Sequence, residues 1–248
     1  MKFKGFFAFL ILSSFLHFSP SFCEEKNKGK EFIHSEIRDY LLNNPEVILE
    51  SLKRYERKIT NLDSDSEQSL VDSQFVELTQ DRFSYVGGNK NGSINIVAFF
   101  DYKCGYCKRA NAELSELILE NKDVRFILKE FPILGQESLI AAQASIVVLM
   151  DQGDNVYKAF TDKILTHSGN ISIKTIRTLL ESVGGDSTNI ESKMKGKTVS
   201  TIINANYNLA KKLNINGTPT FIIGRNIVRG YRDKNKLQEL INKIKQDL

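Results

Sequence analysis

Apolar positions change their spacing several times along this chain, and each change marks an element. Between Phe32 and Leu42 they fall at 33, 37, 40 and 41, one face of a helix. Asn43-Asn44-Pro45-Glu46 then stops that helix and starts another: Asn44 suits an N-cap, Pro45 the first helical position, and Glu46 the positive end of the dipole. The second helix carries Val47, Ile48, Leu52, Tyr55 and Ile59 on one side, with Lys53, Arg54, Glu56 and Arg57 opposite. Residues 24–30, charged and small, read as a mobile leader. The polar stretch 61–68 reads as a linker, followed by a short amphipathic piece from Leu70 to Leu78.

Beyond it the period shortens. Phe83 to Val86 reads as a short strand turning at Gly87-Gly88-Asn89. Ile94 to Phe100 is a continuous apolar run, β-branched and aromatic, of the length of a buried strand. Helical spacing follows at 110, 114, 117 and 118, so a helix spans 105–121, and 123–131 alternates as a further strand stopped by Pro132. Strand, helix, strand implies parallel pairing through a right-handed crossover. From about 135 to 214 the pattern is helical, with Asp154 and Ser172 as caps, Gly184-Gly185 as a stop and a break at Gly196. Ile215 to Ile223 returns to strand, Gly224-Arg225-Asn226 turns, 227–230 is a last strand, and Asp233 caps a closing helix. The class is α/β, with a helical block inserted into a sheet domain and a helical arm ahead of it.

The chemistry sits where the buried run ends, in Asp101-Tyr102-Lys103-Cys104-Gly105-Tyr106-Cys107. A Cys-x-x-Cys pair at a strand-to-helix junction meets unpaired amide N–H groups and the positive end of the dipole, which stabilise a thiolate. Cys104, nearer the turn, is the expected attacking thiolate. Cys107, a turn inside the helix, is the expected resolving thiol. Gly105 and Tyr106 tune the turn without reacting. Asp101 either relays protons to Cys107 or caps the helix, and Glu130 carries the same two readings. A structural zinc site needs two more Cys or His ligands, and beyond residue 23 the chain offers only His34 and His167, both read as surface histidines. No metal site and no cofactor beyond a Cys104–Cys107 disulfide is therefore expected. Two thiolates alone suffice for a soft ion such as Cu(I), which leaves a copper-binding module as an alternative.

Composition adds an address. Lys2 and Lys4 precede an apolar core from Phe6 to Phe18, and Ser21-Phe22-Cys23 suits cleavage before Glu24, so residues 1–23 read as a secretory signal. Removing it takes the net charge from +4, less Lys2 and Lys4, to +2, with no basic cluster to attract nucleic acid. Export to a periplasm or cell envelope favours disulfide chemistry.

The Cys-Gly-Tyr-Cys turn, the helical insert and Gly217-Thr218-Pro219-Thr220 together resemble the DsbA-like group of thioredoxin-fold proteins over about residues 83–248. That resemblance implies a thioredoxin fold with its helical subdomain ahead of a cis-Pro strand. It further implies that Pro219 is cis beside the active-site pair, with Thr218 touching substrate backbone. Tyr40 to Glu46 resembles the N-terminal arm of the trimeric, ScsC-like members. The implied protein exchanges disulfides with unfolded or misfolded exported proteins, works with a membrane redox partner, and forms a homo-oligomer through residues 24–80. The Gly-Tyr spacer and the Thr before Pro219 resemble isomerases rather than strong oxidases, so isomerase or reductase is expected, with a DsbA-type oxidase as the alternative.

Overall fold

The computed structural model describes residues 21–246, so nearly all of the expected signal segment lies outside the described residues. The chain forms two compact units, one up to Thr60 and one from Asn61 onward.

The first unit is helical. Helix α1 spans Ser21–Asn43 and α2 begins at Pro45, so helix replaces the expected leader at 24–30. Gly29 and, more weakly, Asn27 disfavour helix in that stretch, and the Glu and Lys residues around them favour it. Pro45 opens α2 as expected. Asn44 acts differently: its side-chain amide donates back to the Tyr40 carbonyl at 2.8 Å, closing α1. Phe32, Ile33, Ile37, Tyr40 and Leu42 on α1, and Ile48, Leu49, Leu52 and Tyr55 on α2, are all exposed.

Helix α2 runs to Ser73, with no break at 61–68. Asn, Asp and Ser weaken a helix by only tenths of a kcal/mol each, and the stretch holds neither Gly nor Pro. Within the second unit this last part of α2 is fastened by side chains. Val71 is buried, Glu67 accepts from Arg229 at 2.5 Å, and Asp72 pairs with Arg225. A short α3 (Phe75–Thr79) follows.

A five-stranded sheet is the frame of the second unit, in the order β1 (Tyr85–Gly88), β3 (Val124–Glu130), β2 (Ile94–Phe100), β4 (Thr220–Ile223), β5 (Asn226–Arg229). β2 and β3 are parallel and the other pairings antiparallel. The first strand takes in Gly87 and Gly88, expected as a turn. The fourth starts only at Thr220, leaving Ile215–Pro219 as a loop. From Ile96 onward β2 is buried on both faces, hence the apolar run Ile96–Phe100; Asn95 before it is half-buried. Ile94, Ile96, Ala98 and Phe100 face one core with α4 (Gly105–Glu120) and α5 (Gln136–Thr166). Val97 and Phe99 face a second core with Val71, Leu78 and Leu209. That alternation is the period of two of a strand.

The insert comprises α5, α6 (Ile173–Glu181), α7 (Ile190–Met194) and α8 (Lys197–Lys212), and α9 (Lys234–Gln246) closes the chain. Ser172 caps α6, its side chain accepting from the Thr175 N–H, and Gly153 kinks α5 with φ 79°. Lys129 is fully buried on the second face. Its Nζ donates to Asp81 Oδ2 at 2.6 Å and to the Glu77 carbonyl at 2.8 Å. Burial pushes the Asp81 carboxyl up, but the Lys129 ammonium and the hydrogen bonds from Ser84 together hold it below its usual range.

Candidate active site

β2 delivers the thiols to the start of α4. Cys104 is itself the N-cap, with φ −74° and ψ 114°, and its Sγ accepts from the Cys107 N–H at 3.4 Å. The first reactive atom thus occupies the place where a helix leaves its amide hydrogens free. Neither Asp101 nor Glu130 is the cap. Gly105, with open space where a Cβ would stand, and Tyr106 form the first turn.

Antiparallel pairing sets Thr220 opposite Phe99, so the loop entering β4 passes the end of β2. The Thr218–Pro219 peptide is cis, and the Cys104 thiol donates to the Thr218 carbonyl at 3.2 Å. Four residues expected at one place from positions over a hundred apart therefore meet.

The two thiols differ sharply. Cys104 is 7% exposed and Cys107 is sealed; both are free. The Cys107 side chain is the largest influence lowering the Cys104 pKa, from 9.0 to about 6. Burial opposes it, and Thr218 and the backbone at Cys107 and Tyr106 reinforce it. The Thr218 contribution comes from its side chain; its carbonyl, which accepts from the S–H, favours the thiol form. Burial drives the Cys107 thiol far above its ordinary value, and the neighbouring Cys104 adds to the shift. Stability contributed by the Cys104 thiolate is present above its unfolded pKa and lost as pH falls through about 6. Alkylation of the reduced protein is expected to give one fast site whose rate rises with a midpoint near pH 6. Peptide mapping by mass spectrometry should place the label on Cys104; a midpoint above pH 8 would contradict the geometry.

Asp101 anchors the turn and is nearly sealed. Its Oδ1 accepts from Lys103 N at 2.7 Å and Ser138 Oγ at 2.7 Å, and its Oδ2 from Ile133 N at 2.8 Å and Leu134 N at 2.9 Å. Four donors saturate the carboxylate and tie the turn to the β3–α5 loop. Lys103 adds an ion pair to Glu137 at 2.8 Å, and the same Glu137 oxygen accepts from Ile171 N. On the other side Lys108 Nζ donates to the His167 carbonyl at 2.5 Å. His167 is only half-buried, although its Nε2 is enclosed without a partner.

Glu130, at the end of β3 beside Phe100, is a buried acid. Its Oε1 accepts from both Tyr102 and Tyr157 hydroxyls at 2.7 Å, while Oε2 has no partner. Burial pushes its pKa up from 4.5 to about 8 against the two tyrosine hydroxyls. Glu137, Ser138 and the two tyrosines carried no individual signal in the sequence. Among the described residues no cluster of three or more His, Cys, Asp or Glu suits a metal ion.

Comparison with known proteins agrees with this architecture. Residues 80–243 match a family model described as thioredoxin, and residues 30–59 match that of the copper resistance protein ScsC N-terminal domain. A thioredoxin-like oxidoreductase from Silicibacter pomeroyi is 33% identical, with a TM-score of 0.65 over 69% of this chain and 97% of that one. The thiol-disulfide exchange protein α-DsbA2 of Wolbachia pipientis is 27% identical, with a TM-score of 0.69 over 74% and 98%. Disulfide bond formation protein D of Bacillus subtilis is 24% identical over 63% of this chain and 74% of its own length. No helix among the described residues is long and apolar enough to cross a membrane. The chain belongs to the thioredoxin family, and within it is similar to thiol–disulfide oxidoreductases of the DsbA and ScsC kind.

Proposed function

We propose that the protein is an exported thiol–disulfide oxidoreductase that reshuffles or reduces disulfides in misfolded client proteins of the periplasm or cell envelope. The observation that carries this is the split pair: Cys104 at the helix N-cap, its sulfur accepting from the Cys107 N–H and its S–H directed at the Thr218 carbonyl, one turn from a sealed second thiol. In the forward step the Cys104 thiolate attacks one sulfur of a client disulfide. That S–S bond breaks, and the other client sulfur leaves as a thiolate and takes a proton. Cys107, losing its proton, then attacks Cys104 Sγ, releasing the client thiolate and leaving a Cys104–Cys107 disulfide. In an isomerising cycle a different client thiolate instead attacks the client sulfur bonded to Cys104; a new client disulfide forms, the mixed disulfide breaks, and Cys104 leaves as the thiolate it began as. Thr218 and Pro219 border the client backbone, while Asp101 positions the turn.

The thiolate supports this direction. The more a fold stabilises its thiolate, the more oxidising its disulfide, and a pKa near 6 lies well above the 3.5 typical of a strong oxidant. Reduction and isomerisation suit it better than oxidase work, and a membrane redox partner would keep the pair reduced. The exposed apolar residues of α1 and α2 favour self-association of the arm, which sets several thiol pairs around one client.

Reactivation of a scrambled-disulfide substrate by protein from residue 24, beside a form that begins at Asn61 and keeps the whole second unit, tests this. Strong activity in the first and loss in the second is the expected result. Rapid oxidation of a reduced substrate without reactivation would make the protein an oxidase.

The match of residues 30–59 to a copper resistance protein's domain favours one second reading, Cu(I) held by Cys104 and Cys107. The donor pair fits a two-coordinate soft ion, but the burial that raises Cys107 opposes the second thiolate this requires. Copper titration of the reduced protein separates the readings.

A further inference from the structure

An exposed aromatic ring stands between the two cysteines. Tyr106 is 62% exposed, a high value for a large ring in a site whose sulfurs are nearly sealed. Its inner side is occupied: Tyr231, from the loop before α9, stacks on it with centroids 5.9 Å apart and planes at 25°. Arg109 lies over Tyr231, Cζ 4.7 Å from the ring centre. Glu113 holds the stack from below. Its Oε1 accepts from the Tyr231 hydroxyl at 2.6 Å, and its Oε2 from Lys234 N at 2.9 Å. The ledge is thus fixed on α4 and the start of α9 before any client arrives, and such preorganisation lowers the ordering cost of binding.

From this arrangement we infer that the Tyr106–Tyr231 stack is a specificity subsite, which takes an aromatic side chain lying one or two residues from the client cysteine. The inference rests on the disulfide-exchange reading and names which clients that site prefers. A client sulfur bonded to Cys104 brings its neighbouring residues within about 7 Å of chain, two residues of reach, and Tyr106 lies two residues from Cys104. The outer face of Tyr106 is flat, apolar and backed by a second ring under a cation, which suits stacking on a ring rather than hydrogen bonding. Buried aromatic residues become exposed when clients misfold, so the preference selects segments that belong inside a folded client.

The test uses mature protein and short synthetic peptides carrying a glutathione mixed disulfide, with Phe, Ala, Asp or Lys beside the cysteine. Each kcat/KM is divided by the rate on glutathione disulfide, which reports the thiol chemistry alone. The Phe peptide should exceed the Ala peptide by about five- to tenfold, the scale of one aromatic pair. Tyr231→Ala should reduce that ratio to about two, and Tyr231→Phe, which keeps the ring, should preserve it. Circular dichroism establishes that both variants fold. Equal Phe and Ala rates in the native protein, a ratio that survives Tyr231→Ala, or a preference that follows only the Asp and Lys peptides would overturn the subsite. Absence of reaction with every disulfide, glutathione disulfide included, overturns the oxidoreductase reading and this inference with it.

Discussion

Glu130→Gln is expected to make the protein more stable at neutral pH, by about 3 kcal/mol at pH 7. In the unfolded chain this carboxyl ionises near 4.5, whereas burial in the fold delays ionisation to about 8. Between those values the unfolded chain gives up a proton that the folded protein keeps. Stability therefore falls with rising pH across that window, at about 1.4 kcal/mol per pH unit for this one group. Gln does not titrate, and the slope disappears with it. The amide oxygen still accepts from Tyr102 and Tyr157, whose hydroxyls would otherwise be orphaned. Its NH₂ takes the place of Oε2, which has no partner; Glu130 lines a void of about 10 Å³ together with Ser84 and Asn206, room for about one water. Near pH 4 the variant should match the native protein or fall slightly below it. Denaturation followed by circular dichroism at pH 4 and pH 7 checks this, since the chain has no Trp to report by fluorescence. A stability difference that does not change between the two pH values would mean that Glu130 is ionised in the folded state.

The same residue illustrates what the sequence made legible. In β3 the positions 124, 126 and 128 are apolar and face one core, so a carboxylate at 130 continuing that series is an anomaly of pattern. Lys129 is the corresponding anomaly on the other face, between Ile127 and Phe131. Both signals lay in the alternation, yet an alternation cannot say which partner satisfies a buried charge. Asp101 finds Ser138 and Lys103 finds Glu137 across more than thirty residues, and nothing in the spacing chooses Glu137 from 30 acidic side chains or Ser138 from the other hydroxyls. The thiol turn was easier to read, because the apolar run of β2 ends at Phe100, four residues before Cys104, and helical spacing begins just beyond it. The stretch 61–68 misled for the opposite reason. Its composition resembles a loop, but helix is set by hydrogen bonding and docking, and the fastening of Glu67, Val71 and Asp72 appears only in the folded unit.

Cys107→Ser is expected to convert the enzyme into a trap. Once Cys104 has attacked a client, release depends on a second thiol that is sealed from solvent and sits one turn away. Its proton is hard to remove, and two features ease the removal at this stage. Cys104, now a neutral disulfide sulfur, no longer repels a second negative charge, and the Asp101 backbone favours the Cys107 thiolate. Ser is close to Cys in size and keeps the packing, but its hydroxyl cannot displace a sulfur. Release then relies on outside thiols, and against millimolar glutathione the loss of an intramolecular partner should slow turnover by about a thousandfold or more. The covalent protein–client adduct should accumulate, visible on a non-reducing gel and dissolved by excess dithiol. Cys104→Ser should form no adduct, because the remaining thiol is buried and protonated. Adducts formed through Cys107 in that second variant would reverse the two roles. Undiminished disulfide reduction by Cys107→Ser under the same glutathione would show that the second thiol is not needed to resolve the mixed disulfide. A split result is informative as well: reshuffling that survives Cys107→Ser while net reduction fails would mean that the client thiolate itself frees Cys104, the cycle expected of an isomerase.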